Sequence, residues 1–267
     1  MANNSKIIVS AIFLLAFLQT IYAQQSTIKV LFIGNSITSF NNMPNIFKQL
    51  TLEKNHSVSI HTLTLDGMRL YDYLHSVRVD KSMVVSILDT IASGNFNFVI
   101  IQDGLSMPVK PIEKIELFYN SVIKFDSVCK RHQSRLIIFE PYPIPVFPKI
   151  YCGKSISSNE MSCTDQFFDK YQLLDSIKNV FNQFIELNII VAPIGDAFVS
   201  ASANYPKMDL YADDEDFHPS VFGSYLMACI YYRACFSEKL ESKVCLSISC
   251  REALIAQQIA NEIVIED

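Results

Sequence analysis

The sequence predicts an α/β fold: three layers (α/β/α), with a five-stranded parallel sheet between two sets of helices. Three observations predict it. Short apolar runs alternate five times with longer segments of helical period along the 267 residues, the pattern of parallel strands joined by crossover helices. Most of those runs are continuously apolar, as strands buried on both faces must be. Polar residues cluster just past their C-terminal ends, where open sheets of this kind bind ligands. Half of all residues are hydrophobic, so one large core is available to a single domain of this length.

The elements follow in order. The first strand, 28–33, reads Ile-Lys-Val-Leu-Phe-Ile and stops at Gly34, with Ser36 two residues later. A tight turn there exposes the Ser36 hydroxyl at the sheet edge, and a helix beginning after it aims its first N–H groups at an anion. Ser36 is a candidate nucleophile; a helix N-cap is the plainer alternative. Residues 43–53 form a helix behind Pro44, with Ile46, Phe47 and Leu50 on one face. The second strand, 57–63, runs into a turn at Gly67 before a helix over 70–75. Gly67 is either a plain turn glycine or a backbone N–H that reaches an oxyanion without a Cβ in the way.

A helix over 81–92 leads to the third strand, 97–101, and then to Gln102-Asp103-Gly104-Leu105-Ser106. Gln102 can offer its amide to a substrate oxygen and Ser106 its hydroxyl; capping of the following loop is the equal alternative. The helix 113–131 and the fourth strand 135–139 precede a proline-rich loop insertion, 141–164, with no pattern of its own. Loops of that length are often functional, so it is read as a lid or substrate wall, or else as a surface decoration. A helix over 165–186, the fifth strand 188–192 and a helix starting near Gly195 complete the alternation. His218 then stands just after Asp213, Asp214, Glu215 and Asp216 and just before a helix that runs to about Phe236. Alone this is a solvated acidic turn. Together with Ser36 it supplies the parts of a hydrolase triad: an acid fixes the imidazole, the imidazole takes the serine proton, and the serine attacks a carbonyl.

Composition narrows the classes. The formal charge is −5 and no basic cluster tracks a phosphate backbone, which disfavours nucleic acid as a partner. Residues 1–23 read as a secretory signal peptide: Lys6, an apolar stretch over 7–18, and Ala23 before the cut. An uncleaved anchor is the alternative, because Ile21 is not small. Removing Lys6, the one charge in that segment, takes −5 to −6 for the domain 24–267. No later segment is long and apolar enough to span a membrane. All seven cysteines lie after residue 23, and export permits disulfides. Cys152–Cys163 and Cys245–Cys250 are the expected bridges, with Cys229 and Cys235 as buried thiols. No spacing resembles a zinc site, and no metal or cofactor is called for.

Gly34-Asn35-Ser36 at the first strand, Gly67 after the second, and His218-Pro219-Ser220 with Gly223 near the end together resemble the SGNH (GDSL-like) hydrolases, most of all a secreted subgroup. The resemblance covers nearly all of 24–267. It implies a flavodoxin-like sheet and ester hydrolysis through an acyl-enzyme, with Ser36 as nucleophile and His218 as base. It also implies that the N–H groups of Ser36 and Gly67 hold the oxyanion, with Asn35 at the same site. Two departures stand out. The family block G-x-N-D is absent, and Gln102 is taken as the substitute for its asparagine. The acid three residues before the histidine is Glu215 rather than aspartate, with Asp214 as the second candidate. For a secreted member the implied substrate is a small-molecule or glycan ester, foremost a glycan carrying a short acyl group such as acetyl. The alternatives are a catalytically degenerate glycan-binding protein and a lipase or thioesterase.

Overall fold

The computed structural model describes residues 27–75, 86–105, 112–154, 160–212 and 217–266. The expected leader 1–23 and Ser106 lie outside them, as does the 81–85 part of one expected helix. Five strands form a parallel sheet in the order β2-β1-β3-β4-β7. They are β1 (Ile28–Gly34), β2 (Val58–Thr64), β3 (Phe98–Ile101), β4 (Arg135–Phe139) and β7 (Ile190–Ala192). The expected three-layer architecture is borne out. Strand order reverses between β1 and β3, and the ends of these two strands open the crevice where such sheets bind ligands.

The pleat explains the layers. Val30 and Phe32 of β1 point to one face and Leu31 and Ile33 to the other, as period-two alternation requires. The first face packs on α2 (Met43–Glu53), α7 (Ile194–Asn204), α8 (Val221–Phe236) and α9 (Cys250–Glu262). The second packs on α4 (Ile87–Gly94), α5 (Ile112–Arg131) and α6 (Lys170–Glu186). Leu70 of the short α3 (Leu70–His75) joins this second side. Helix α8 is buried almost all round, from Phe222 to Cys235. It has no polar stripe because it lies between neighbours, chiefly α2 and α9, rather than on the surface.

Three elements differ from expectation. Helix α6 starts at Lys170 rather than 165, because Asp169 caps it by accepting from the N–H groups of Tyr171 and Gln172. Helix α9 was not anticipated; it opens on a capping box between Ser249 and Glu252. The loop 141–164 carries an antiparallel ribbon of β5 (Cys152–Lys154) and β6 (Met161–Cys163), with Cys152 directly opposite Cys163. Both expected disulfides form, and Cys129, Cys229 and Cys235 are buried free thiols. No helix among the described residues is long and apolar enough to cross a membrane.

Candidate active site

The end of β1 sets the site. Ser36 is the first residue of a four-residue helix, α1 (Ser36–Ser39), and Asn35 is its N-cap. Ser36 is therefore not the cap itself. It sits half-buried at the sheet edge, with its N–H among those a helix start leaves without an intrahelical partner. Gly34 makes the turn possible. A Cβ there would lie 2.6 Å from both Gln102 Oε1 and Thr38 Oγ1, so only glycine lets the end of β3 close on this loop.

His218 meets Ser36 across 182 residues, with Nε2 at 2.9 Å from the serine Oγ. The imidazole is held by its surroundings. Phe40 stacks on it at 4.6 Å between centroids, and Phe217 tilts against it at 4.4 Å. Its backbone oxygen accepts from the N–H of Ala212 at 2.9 Å. Tyr142 donates its hydroxyl proton to the Phe217 oxygen at 2.8 Å. Asn41 Nδ2 donates to the Pro219 oxygen and to Ser224 Oγ, both at 2.9 Å. Asn41 thus straps the Ser36 segment to the start of α8. Ser220, which caps α8 by accepting from Gly223 N–H, ties the histidine to the buried helix behind it. The two acids expected to orient the imidazole, Glu215 and Asp214, lie outside the described residues.

On the other side of Ser36, Gly67 has φ +70 in a turn closed by Met68 N–H on the Leu65 oxygen at 3.1 Å. That turn needs a left-handed residue at its third position. Gly67 is exposed, and open space surrounds it where a Cβ would be. No described hydrogen bond uses the N–H of Ser36 or of Gly67. Three side chains pin this turn. Asn35 Nδ2 donates to the Met68 oxygen at 3.0 Å. Tyr73 accepts at its hydroxyl from Leu65 N–H at 2.9 Å and donates to the Gly34 oxygen at 2.7 Å. Asp103 Oδ2 accepts from Leu70 N–H at 3.1 Å.

Two expected substrate-facing residues turn out to face inward. Gln102 is 1% exposed. Its Oε1 accepts from Asn35 N–H at 3.0 Å and from Thr38 Oγ1 at 2.9 Å, while Nε2 donates to the Asp103 oxygen. A backbone N–H can only donate, so the Gln102 amide oxygen lies toward the Asn35 loop and the nitrogen away from it. In this orientation Gln102 braces the loop that carries Ser36 rather than offering its amide to a substrate oxygen. Asn35 is 6% exposed; its Oδ1 accepts from Ile37 N–H and its Nδ2 is spent on Met68. The candidate oxyanion donors that remain are the backbone N–H groups of Ser36 and Gly67.

Burial also shifts two carboxyls at this edge. Desolvation pushes Asp103 up to about 6, against the pull of the Gly104 and Leu70 N–H groups. At the end of β4, desolvation and neighbouring Asp196 push Glu140 up to about 8. A cleft of about 740 Å³ adjoins the Ser36–His218 pair through Phe40, and Pro145, Met208, Asp209, Leu210 and Tyr211 also line it. Neither Ser36 nor His218 lines it. Among the described residues no group of His, Cys, Asp and Glu side chains is arranged to hold a metal ion.

No family model and no curated protein matches the chain. Among solved structures it is similar to a DUF4886 family protein from Bacteroides uniformis, at 17% identity and TM-score 0.66, over 88% of this chain and 94% of that one. A GDSL-like lipase from Bacteroides thetaiotaomicron matches at 15% identity and TM-score 0.46, over 78% of this chain and 88% of that one. The likeness is one of fold: the chain has the three-layer architecture of the Bacteroides uniformis protein.

Proposed function

We propose that the chain is a serine ester hydrolase that works through an acyl-enzyme. The observation that carries this is the Ser36 Oγ–His218 Nε2 contact of 2.9 Å at the C-terminal edge of the sheet, beside two backbone N–H groups. Ser36 Oγ–H gives its proton to Nε2 as Oγ attacks the ester carbonyl carbon. The oxygen that gains charge is held by the N–H groups of Ser36 and Gly67. The imidazolium returns the proton to the leaving oxygen and the alcohol departs. Water then attacks the acyl-enzyme with the same imidazole as base and frees the acid. Glu215 or Asp214 holds the imidazole tautomer. No step calls for a metal or cofactor.

Within this reading the substrate is a glycan carrying a short acyl group, met outside the cell after removal of residues 1–23. An open cleft of about 740 Å³ beside the histidine supports a bulky alcohol side, because His218 must reach the leaving oxygen. Exposed Val146 and Ile150 in the loop 141–164 favour a second reading, a lipase or thioesterase with longer acyl chains. The test is labelling with a fluorophosphonate probe and hydrolysis of 4-nitrophenyl esters of two to twelve carbons, in the wild type and in Ser36→Ala. A single adduct on Ser36, with turnover fastest on the acetyl ester and lost in the variant, is the expected result. Equal turnover in both proteins would overturn the nucleophile assignment, and a maximum at long chains would favour the lipase.

A further inference from the structure

We propose that Asp103 is a positioning residue for the oxyanion pocket: its buried carboxylate ties the end of β3 to the first turn of α3 and so fixes the Gly67 turn, and the tie loosens when the carboxylate takes a proton. The inference rests on the acyl-enzyme reading above and deepens it. Asp103 touches neither Ser36 nor His218 in any described hydrogen bond. It is 4% exposed and carries no part of the mechanism, yet it faces the loop that presents Gly67.

The geometry makes its charge matter. Oδ1 accepts from Gly104 N–H at 2.6 Å and Oδ2 from Leu70 N–H at 3.1 Å. An ionised carboxylate serves both donors at once. A protonated one carries a hydroxyl on one oxygen, and that oxygen is a weaker acceptor for its N–H. The longer bond, to Leu70, is the one that gives. Leu70 is three residues past Gly67, and of the three side chains that pin the turn only Asn35 and Tyr73 then remain. The groups that bear on this carboxyl are Arg69, which favours its charge, and Asp72, which opposes it. Burial outweighs both and brings its titration up to about 6. The tie is therefore lost as pH drops through that value, inside the range where ester hydrolysis is measured.

The acid limb of kcat/KM then carries two protons: one on His218, which must be neutral to act as base, and one on Asp103. The experiment is hydrolysis of 4-nitrophenyl acetate from pH 5 to 8.5 by the wild type, Asp103→Asn and Ser36→Ala, with near-UV circular dichroism to check folding. In the wild type the slope of log kcat/KM against pH approaches two on the acid side. In Asp103→Asn it falls to one. At pH 8 the variant loses about ten- to hundred-fold in kcat, less than the loss of a whole oxyanion donor, with KM within about two-fold because ground-state binding is untouched. A wild-type slope of one, or a slope of two that survives in a folded Asp103→Asn, overturns the proposal. The wild-type slope decides even if the variant does not fold. Wild-type turnover no faster than that of Ser36→Ala overturns the acyl-enzyme reading itself, and the role of Asp103 with it.

Discussion

Replacing Gly34 by alanine tests how closely the ends of β1 and β3 are fitted. The new Cβ would stand 2.6 Å from Gln102 Oε1 and 2.6 Å from Thr38 Oγ1, well inside the 3.4 Å at which ordinary contact begins. Neither neighbour has room to retreat, since both are 1% exposed. If Gln102 withdraws, the Asn35 N–H is left buried without its acceptor, at a cost of about 1–3 kcal/mol. Overpacking adds about 1–3 kcal/mol. The expected loss is roughly 2–6 kcal/mol, which at about 2–4 °C per kcal/mol for a domain of this size lowers Tm by roughly 4–24 °C. Activity at a temperature where the variant is folded also falls, because Asn35 moves with Ser36. Gly67→Ala is the contrast. Nothing lies within 4 Å of its Cβ position, so the cost is only the left-handed backbone, about 1–2 kcal/mol. Thermal and urea melts of the two variants, with kcat for each, make the comparison. A Gly34→Ala protein that melts with the wild type and keeps its kcat would refute the packing argument, as would a larger loss in Gly67→Ala.

Two further outcomes are expected. Asn41→Ala removes both bonds that join the nucleophile segment to Pro219 and Ser224; kcat on an activated acetyl ester drops about tenfold, as for a catalytic group displaced rather than deleted, and an unchanged kcat would show that the strap does not position His218. Glu140, pushed up to about 8 by burial and by Asp196, holds a proton in the folded state between about pH 4.5 and 8 that the unfolded chain has lost. Its stabilisation is full below that window and fades as pH rises through it, by at most about 1.4 kcal/mol per pH unit. Asp103 acts in the same sense but only up to about 6, so urea melts from pH 6.5 to 8.5 isolate Glu140. Glu140→Gln should flatten the decline, and parallel curves for the two proteins would refute the assignment.

The fold was legible where physics is local. Strands β1, β3 and β4 are apolar on both faces, and the helices between them carry one apolar stripe each. The pairing of Ser36 with His218 was legible through two short motifs, one at the end of β1 and one on a late loop before a helix. The straps were not. Asn41 finds Pro219 across 178 residues, and Tyr142 finds Phe217 across 75; no spacing along the chain marks such contacts. Helix α9 left a readable trace in Ser249-x-x-Glu252, but its apolar face is built of alanines and isoleucines spread too thinly to stand out. Gln102 was placed correctly at the sheet edge and given the wrong orientation. A carboxamide offers a donor and an acceptor, and only the neighbours decide which end faces where.

That orientation leads to a sharper expectation about the missing G-x-N-D block. If Gln102 were a displaced version of that asparagine, Gln102→Asn should restore a donor and raise activity. The hydrogen bonds argue the reverse. Gln102 Oε1 reaches Asn35 N–H at 3.0 Å and Thr38 Oγ1 at 2.9 Å because the side chain has two methylenes. Asparagine is one methylene shorter, so its oxygen would withdraw by about 1.5 Å, the length of one carbon–carbon bond, and release both donors inside a site that excludes water. One buried unsatisfied N–H costs about 1–3 kcal/mol, and the freed segment is the one that carries Ser36. On the proposed mechanism the oxyanion rests on two backbone N–H groups, so the geometry of that segment is the chemistry. Gln102→Asn should therefore lower both Tm and kcat, the latter by tenfold or more on this argument. A Gln102→Asn protein that turns over faster than the wild type would show that the side chain faces the oxyanion after all.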